Sequence, residues 1–432
     1  MSSQPPILKR GILFTAYYFP PMNTIGVWRN YFLAKFAKNY FKEVFISTSD
    51  LVPSNEDLLK EFNINQNKCL DYRSLLKRDN ANKSSFKEQY KANFISRFFI
   101  KLINSFPFNL IAGEGGLVYI RRSVKSASTQ IKLNDIQYVY SSYRPMSDHF
   151  IAYCLKKRHK KLVWIADFRD LPFDPLYKQY FCLKFQKYIM FKLLSKADII
   201  TTFSEGIKLG LNNFTQKEIH ILPNGPFESN KIESNVQKAT KFTLQYSGSL
   251  FLDERDPSPL MKILSELKHE NKINSSNIVL KYCGKDGTQW NSYVRKNSLS
   301  DISNNLGLVS YDMSRQLQQQ ASINIILTSS HPQYKGILTG KFFEYIAAGK
   351  PIICIVKGVR DEQLEHIFLK YQLGILLYHD AQNLTALKNF IVEEWQYFQE
   401  FHETKHKIDM RILDDFNWDK SLEILVKILD NG

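Results

Sequence analysis

Residues 322–356 read SINIILTSSHPQYKGILTGKFFEYIAAGKPIICIV, and the order of apolar and polar residues in this segment predicts a fold class. Its apolar runs at 322–327 and 351–356 have the length and composition of buried parallel strands. Between them, Thr339 is a suitable N-cap for a helix that begins at Gly340, and Gly349 stands where such a helix should end. The order strand, helix, strand predicts a βαβ unit, the building block of a parallel α/β sheet.

The same alternation of apolar runs and helical patterns occurs on both sides of a strong break at Pro223-Asn224-Gly225-Pro226. The other predicted strands are 11–18, 43–47, 136–141, 161–166, 197–202, 219–222, 242–247 and 278–282. Helical spacing of apolar residues also begins at Val27 and recurs at 418–429. The sequence therefore predicts two α/β domains, 1–225 and 240–412, followed by a C-terminal helical segment, 413–432.

The 432 residues are 44% hydrophobic, enough for more than one core, and carry a formal net charge of +16. This excess suits an anionic partner: nucleic acid, an anionic membrane surface or a phosphorylated small molecule. The five cysteines are scattered without a C-x-x-C motif, as is typical of a reducing compartment. The sequence has no secretory signal pattern and no apolar run of membrane-spanning length. We therefore expect a cytoplasmic protein, at most peripheral to the inner face of a membrane.

The helix predicted to begin at Gly340 carries the most informative polar residues. A glycine-bearing loop that leads from a strand into a helix offers unpaired N–H groups to an anion, and Lys341 adds a mobile positive charge. Glu344, one turn later, can accept hydrogen bonds from a ribose diol. The apolar residues Phe342 and Phe343 would face the core, with Lys341 and Glu344 on the opposite side. The alternative is a surface helix with a Lys–Glu pair three residues apart.

Eight short segments form a pattern that extends over nearly the whole chain. They are FTAYYFPPMNTIGVWR (14–29), SSYRPMSDH (141–149), WIADFRDLP (164–172), TTFSEG (201–206), ILPNG (221–225), YSGSL (246–250), GLVSYDM (307–313) and GILTGKFFEYIAAGKPI (336–352). In this order they resemble the retaining glycosyltransferases of family 4, which have the GT-B fold, and especially the bacterial members that build cell-surface polysaccharides.

The resemblance implies two Rossmann-like domains facing across a cleft, with a C-terminal helix packing back. It also implies transfer of a sugar from a nucleoside-diphosphate sugar to a hydroxyl of a sugar or lipid-linked acceptor, with retention of configuration, in cell-surface polysaccharide or glycolipid synthesis. Sugar-nucleotide 2-epimerases of the same fold are one alternative. A basic nucleic-acid-binding protein is another, but the dispersed basic residues make us expect no nucleic-acid partner.

The resemblance assigns donor-binding roles to a set of residues near predicted strand ends. Gly26 corresponds to the glycine that approaches the donor diphosphate, Gly248 and Ser249 line the end of a strand in the second domain, and Glu344 holds the ribose. Ser204-Glu205 corresponds to the family's serine–glutamate pair. The full predicted donor-binding set is Gly26, Gly248, Ser249, Arg255, Gly336, Thr339, Gly340, Lys341 and Glu344.

The chain departs from the family pattern at three places. Gly336 stands where the first glutamate of the E-x7-E motif would be, so we expect the backbone of 336–339 to approach the sugar or phosphate instead. Ser249 and Glu254 occupy positions that are basic in many relatives, which leaves Lys341, and next Arg255, as the substitutes. The histidine that is common near the end of a first-domain strand is replaced by the sequence DFRD at 167–170.

The carboxylates and arginine of this DFRD segment are the remaining catalytic candidates, beside Lys341. Asp167, Arg169 and Asp170 follow a predicted strand, where open α/β sheets place their sites, and would orient the acceptor hydroxyl or the migrating sugar. The alternative is a buried Arg–Asp ion pair. His149 is interpreted as a satisfied helix residue rather than an acceptor contact.

Other chemistries lack their motifs. The sequence has no D-x-D, no G-x-S-x-G elbow and no P-loop, so we expect no metal and no cofactor. The segment 86–110 interleaves aromatic and basic residues. It is predicted to form a pair of helices packed on the first domain, and the alternative is a surface for a membrane or a lipid-linked acceptor.

Overall fold

The computed structural model describes residues 8–22, 25–51, 56–72, 94–173, 180–226, 240–250, 254–273, 275–332, 335–380 and 384–431. The chain divides into two compact units. The first comprises Met1–Asn224 together with Asn417–Gly432, and the second comprises Gly225–Phe416. Each unit is an α/β structure built on a parallel sheet, as the sequence predicts.

The described part of the first unit contains a seven-stranded sheet. Its strands are β1 (Gly11–Thr15), β2 (Val44–Ser49), β3 (Asn63–Asn67), β4 (Ile136–Tyr143), β5 (Val163–Phe168), β6 (Ile199–Thr202) and β7 (Ile219–Ile221). They lie in the order β3-β2-β1-β4-β5-β6-β7, and all neighbours are parallel. This is the doubly wound arrangement, in which the direction of winding reverses between β1 and β4.

Helices cover both faces of this sheet, which explains why the strands β1, β2, β4, β5 and β6 are almost entirely buried. They are α1 (Ile25–Ala37), α2 (Glu56–Glu61), α3 (Phe94–Asn104), α4 (Phe108–Ile111), α5 (Gly116–Leu133), α6 (Met146–Arg158), α7 (Leu183–Leu194) and α8 (Glu205–Leu211). The pair α3 and α4 confirms the helices predicted within 86–110, although residues 86–93 lie outside the described part of the chain.

A further helix of the first unit comes from the far end of the chain, α16 (Trp418–Asp430). It begins after Asn417, whose side chain accepts a hydrogen bond from the N–H of Lys420. The Trp418 ring stacks on that of Phe32 of α1, with centroids 5.4 Å apart. The prediction that the C-terminal helix packs back is therefore confirmed.

The second unit repeats the doubly wound arrangement with a six-stranded sheet. Its strands are β8 (Phe242–Ser247), β9 (Ile278–Cys283), β10 (Ser303–Asn305), β11 (Ile323–Ser330), β12 (Ile352–Gly358) and β13 (Gly374–Tyr378). Their order is β10-β9-β8-β11-β12-β13, again parallel throughout, and the winding reverses between β8 and β11. The helices are α9 (Ser258–His269), α10 (Gly287–Lys296), α11 (Tyr311–Gln320), α12 (Gly340–Ala348), α13 (Glu362–Lys370), α14 (Thr385–Phe401) and α15 (Ile412–Asp415).

None of the helices in the described ranges has the length and apolar character needed to cross a membrane.

Candidate functional site

The strongest candidate site lies where the winding of the second sheet reverses. Gly248 directly follows β8, and α12 follows the neighbouring strand β11. In open α/β sheets, ligands bind beyond the carboxyl ends of the strands at such a reversal point. Sheet topology therefore brings two sequence-distant segments of the predicted donor site together.

The contact between these segments is between Gly248 and Lys341. Gly248 has φ +134°, and a β-carbon at this position would lie 1.7 Å from the Lys341 Nζ atom. That nitrogen is 4.8 Å from the ring centroid of Tyr246, is buried and makes no hydrogen bond. The glycine is therefore required both by the backbone conformation and by the space that the ammonium group occupies.

Burial of this ammonium group has an electrostatic consequence. Loss of hydration, together with the nearby Arg255 guanidinium, lowers the pKa of Lys341 to about 7, although the Glu344 carboxylate opposes this change. The sequence predicts a mobile positive charge here, and the structure places the Lys341 ammonium group inward, against Gly248. A buried cation without a hydrogen-bond partner is unfavourable until an anion neutralises it.

Glu344 lies one turn after Lys341 on α12 and is also largely buried. Its carboxylate accepts a hydrogen bond of 3.2 Å from Gln318 Nε2 of α11, and burial raises its pKa. The alternative of an exposed Lys–Glu pair is wrong, because α11 packs against α12 beside Glu344. The sequence analysis did not identify Gln318 or Ser314, whose side chains form a hydrogen bond of 3.1 Å with each other. Their spacing of four residues on a polar helix is the signal that could have found them.

A second cation stands close to Lys341. Arg255 Nη1 donates a hydrogen bond of 3.3 Å to the Ser249 carbonyl, which also accepts one of 2.7 Å from the Tyr246 hydroxyl. The structure thus brings Ser249 and Arg255 to the Gly248–Lys341 contact, as the sequence predicts. Two basic side chains, Lys341 and Arg255, thus lie close together at this site.

The loop and first turn before Lys341 are only partly as expected. The helix begins at Gly340 after Thr339 and ends at Gly349, which has φ +67°, but the Thr339 side chain makes no capping hydrogen bond. Gly336 has φ +70°, and its N–H donates to the Asp361 carboxylate at 2.8 Å. The predicted approach of the backbone of 336–339 to the sugar or phosphate therefore cannot use the Gly336 N–H, because this group is already hydrogen-bonded to Asp361.

In the first unit, the catalytic role predicted for Asp167 requires a correction. It lies within β5, is fully buried, and accepts hydrogen bonds of 2.8 and 2.6 Å from the Arg29 guanidinium and one of 2.8 Å from Thr201 Oγ1. Burial alone would raise the pKa of this carboxyl, but Arg29 outweighs it and holds that pKa below its usual value. The predicted catalytic role of Asp167 is therefore replaced by a buried ion pair with Arg29 of α1, a partner that the sequence analysis did not identify.

Arg169 and Gly26 do come together. The Arg169 side chain is 10% exposed, and a β-carbon at Gly26 would lie 1.8 Å from its Nη1 atom. Nη2 donates to the Arg144 carbonyl at 2.6 Å, whereas Nε and Nη1 have no hydrogen-bond partner. Asp170 is 60% exposed and its carboxylate is 3.9 Å from Arg169 Nε, at the margin of this cluster. Two buried guanidinium nitrogens of Arg169 thus have no hydrogen-bond acceptor in the protein.

The remaining predicted residues of the first unit have structural contacts. His149 is buried in α6, its Nδ1 is 2.8 Å from Ser141 Oγ, and burial lowers its pKa to about 3, so it is neutral. Ser204 caps α8 by accepting a hydrogen bond of 3.4 Å from the N–H of Ile207, and Glu205 is exposed beside it. His149 is therefore a core helix residue, as interpreted from the sequence.

Within the described ranges, His, Cys, Asp and Glu side chains form no group of three or more that could hold a metal ion.

No protein-family model matches the chain, and neither does any curated protein. Solved structures of similar fold cover nearly all of it. Sucrose-phosphate synthase from Thermosynechococcus elongatus is 12% identical, with a TM-score of 0.55 over 98% of this chain and 100% of that chain. An Escherichia coli trehalose-6-phosphate protein bound with UDP-2-fluoro glucose is 11% identical, with a TM-score of 0.58 over 97% and 98%. The pneumococcal O-GlcNAc transferase in complex with UDP and GlcNAc is 11% identical, with a TM-score of 0.53 over 98% and 99%. At this level of identity the likeness shows the fold, and the chain has the GT-B fold that these structures share.

Proposed function

We propose that this protein is a glycosyltransferase that moves a sugar from a nucleoside-diphosphate sugar to a hydroxyl acceptor. The observation that carries the proposal is the buried, unpartnered ammonium group of Lys341 at the reversal point of the second sheet. A cation held there without a hydrogen-bond acceptor fits a ligand that brings negative charge of its own.

The second unit supplies the groups that a nucleoside diphosphate needs. Lys341 and Arg255 would bind the diphosphate, and the Glu344 carboxylate would accept hydrogen bonds from the ribose hydroxyls. Two of the solved structures with this fold contain UDP or a UDP sugar. This supports the same class of ligand here, while the base and the sugar of the donor stay open.

Catalysis follows from where charge develops. The bond between the anomeric carbon and the β-phosphate oxygen breaks, a new bond forms to the acceptor oxygen, and the acceptor hydroxyl passes its proton to the departing phosphate oxygen. Negative charge grows on the departing diphosphate, so Lys341 and the N–H groups at the start of α12 stabilise the transition state. In the first unit, the free N–H donors of Arg169 would position the acceptor beside Gly26.

The setting of the reaction rests on the sequence resemblance. We propose a retaining transfer to a sugar or lipid-linked acceptor, in cell-surface polysaccharide or glycolipid synthesis at the cytoplasmic side of a membrane. The reaction would need neither a cofactor nor a metal. The solved structures of similar fold favour neither a 2-epimerase nor a nucleic-acid-binding protein.

The test is a thermal-shift and calorimetric screen of UDP, GDP, ADP and dTDP, followed by an assay of sugar transfer or of slow donor hydrolysis. One nucleoside diphosphate should stabilise the wild type by about 2.7 kcal/mol at a hundredfold excess over its Kd. Lys341→Met should lose most of this effect. Lys296→Met, an exposed lysine at the end of α10, is the matched control. The proposal fails if none of the four ligands stabilises the protein, or if Lys341→Met binds as tightly as the control.

A further inference from the structure

A large apolar cavity lies in the first unit and is lined in part by residues of the aromatic and basic segment 86–110. Its volume is about 480 Å³, within the range of about 300–1,000 Å³ that is usual for small-molecule sites. Phe99, Ile100 and Ile103 of α3 line one side of it, and Ile189 and Met190 of α7 line another. Protein interiors seldom leave spaces of this size unfilled, and the lining fits a hydrocarbon better than a sugar.

The outer surface next to this cavity is unusually rich in exposed aromatic residues. Four side chains of α7 are between 43% and 54% exposed, namely Leu183, Phe185, Tyr188 and Phe191. Lysines 184, 187 and 192 alternate with them, and the Lys192 ammonium group lies 5.4 Å from the Tyr188 ring centroid. We call these four residues, with Phe98 and Phe99 of α3, the aromatic face. Such a mixture of rings and lysines is typical of helices that lie in a membrane interface.

The aromatic face and the cavity are continuous. Phe99 belongs to both, since it is 54% exposed and also lines the cavity. The Phe185 ring is 6.1 Å from that of Phe106, another lining residue. A hydrocarbon chain at the aromatic face would therefore have a direct route into the cavity.

The cavity also has a polar side, formed by Glu114 and Arg144. The Arg144 carbonyl accepts the hydrogen bond from Arg169 Nη2, and Glu114 accepts one of 2.8 Å from the Tyr18 hydroxyl. The ring of Tyr18 in turn lies 5.3 Å from the Arg169 guanidinium. The polar side of the cavity thus contacts the Arg169 side chain, directly through the Arg144 carbonyl and indirectly through Glu114 and Tyr18.

We infer that the acceptor is an amphiphile whose single hydrocarbon chain occupies this cavity and whose polar head lies at Arg169. The chain enters from an anionic bilayer against which the aromatic face rests. This inference rests on the proposed function, because it names the acceptor class of that reaction. A free sugar would leave the apolar walls without a partner, and a protein docked on the aromatic face would leave the cavity empty.

The first test is binding of cis-parinaric acid, a fluorescent single-chain fatty acid, to the full chain. The wild type should bind it with a stoichiometry near one, and Ile103→Trp, which fills the cavity, should weaken binding at least tenfold. Ile189→Trp fills the cavity from the opposite wall and gives a second variant if the first is unstable. Leu209→Trp, on the exposed surface of α8, is the matched control and should bind like the wild type.

The second test is sedimentation with phosphatidylglycerol vesicles, compared with neutral phosphatidylcholine vesicles. The double variant Tyr188→Ser/Phe191→Ser should lose most of its binding to the anionic vesicles but keep its affinity for parinaric acid within about twofold. Leu369→Ser, an 80% exposed leucine of α13, is the control. Vesicle binding unchanged in the double variant, or parinaric acid binding that is absent or insensitive to both cavity-filling variants, overturns the inference.

Nucleoside-diphosphate binding measured on the same samples separates this inference from the proposed function. If the nucleotide binds and parinaric acid does not, only the acceptor assignment is wrong. If parinaric acid binds in the cavity and no nucleotide binds, the cavity stands and the transferase proposal fails.

Discussion

The Nζ atom of Lys341 occupies the space in which a side chain at Gly248 would begin, since a β-carbon there would be only 1.7 Å away. Two residues that are distant in the sequence therefore depend on each other. Neither can change without altering the position of the buried cation.

The first prediction follows directly from this contact. Gly248→Ala should displace Lys341 and weaken nucleoside-diphosphate binding by about ten- to hundredfold, the effect of losing a charge-assisted hydrogen bond worth roughly 1.5–3 kcal/mol. Gly307→Ala is the matched control, because Gly307 also has a positive φ of +66° but has nothing within 4 Å of its would-be β-carbon. Calorimetry on both variants checks this. If both variants lose the same affinity relative to the wild type, backbone strain and not the displacement of Lys341 explains the loss.

The second prediction concerns pH. The pKa of Lys341 is lowered to about 7 in the empty site, and a bound diphosphate should raise it. Binding above pH 7 must then take up a proton, so affinity should fall as the pH rises, by up to about tenfold per unit. Calorimetry in buffers of different ionisation enthalpy measures the proton uptake directly.

The variant Lys341→Met tests the cause of this pH dependence. It should bind the nucleotide about ten- to hundredfold more weakly and show no proton uptake. It should also be more stable than the wild type below pH 7, because the native protein there holds a buried ammonium group that the unfolded chain hydrates. This gain should shrink as the pH rises from 7 towards about 10.4, the pKa of an unperturbed lysine. A variant that loses both affinity and stability would point to a structural role instead.

The third prediction assigns Glu344 to the ribose. Glu344→Ala should weaken donor binding by roughly 3 kcal/mol, about a hundredfold, if the carboxylate accepts hydrogen bonds from two hydroxyls. Glu344→Gln should be less damaging, because an amide oxygen still accepts one bond. Calorimetry with the nucleoside diphosphate and its 2′,3′-dideoxy analogue measures both effects. The assignment is wrong if Glu344→Ala loses no more affinity for the intact ribose than for the analogue.

The fourth prediction concerns how much the carboxylates of Asp167 and Asp170, at the end of β5 and just after it, contribute to stability. Asp167→Asn should lower the free energy of unfolding by roughly 3–5 kcal/mol, because it leaves the buried Arg29 without its counter-charge. Asp170→Asn, at an exposed carboxylate, should cost less than about 1 kcal/mol. Chemical denaturation of the two variants gives these values.

The pH dependence of the Asp167 contribution has a definite sign. Its folded pKa is lowered, so the carboxylate stabilises the protein above about pH 3.9, and this stability is lost only as the pH falls through the lower folded value. The difference between the wild type and Asp167→Asn should therefore persist at neutral pH and narrow only in strong acid. A small difference at pH 7 would contradict the ion-pair assignment.

The fifth prediction is that sugar transfer does not need a divalent metal. The sequence has no D-x-D motif, and charge on the leaving diphosphate would be stabilised by Lys341 and Arg255. Activity in EDTA should equal that in Mg²⁺ or Mn²⁺ within about twofold. Complete loss in EDTA, restored by either metal, would show that a metal carries this charge instead.

The central strands of both sheets could be predicted from the sequence because apolar runs such as those of β8 and β11 are buried on both faces. The edge strands β3 and β10 could not be predicted, because their sequences NINQN and SNN are polar and short. They adopt the extended conformation by pairing with a single neighbouring strand. The start and the end of the helix at 340–348 were predicted because Thr339, Gly340 and Gly349 are local signals, although the Thr339 side chain makes no capping hydrogen bond.

The chemistry of the site could be predicted only in part. The grouping of Gly248, Arg255, Lys341 and Glu344 followed from a family resemblance. The burial of Glu344 depends on α11 packing against α12, and that of Lys341 on its contact with Gly248, which no local pattern records. For the same reason the pairing of Asp167 with Arg29, 138 positions earlier in the chain, was not foreseen. The cavity between α3 and α7 also arises from tertiary packing.

The placement of α16 has a consequence for how the protein is made. Trp418 packs on Phe32 in the first unit, yet the whole of the second unit separates them along the chain. During synthesis the first unit emerges early from the ribosome but cannot cover Phe32 until residues 417–430 have followed. A nascent chain stalled after residue 224 should therefore expose the surface around Phe32 to chaperones. This exposure should end once residues 417–430 have left the ribosome and packed on Phe32.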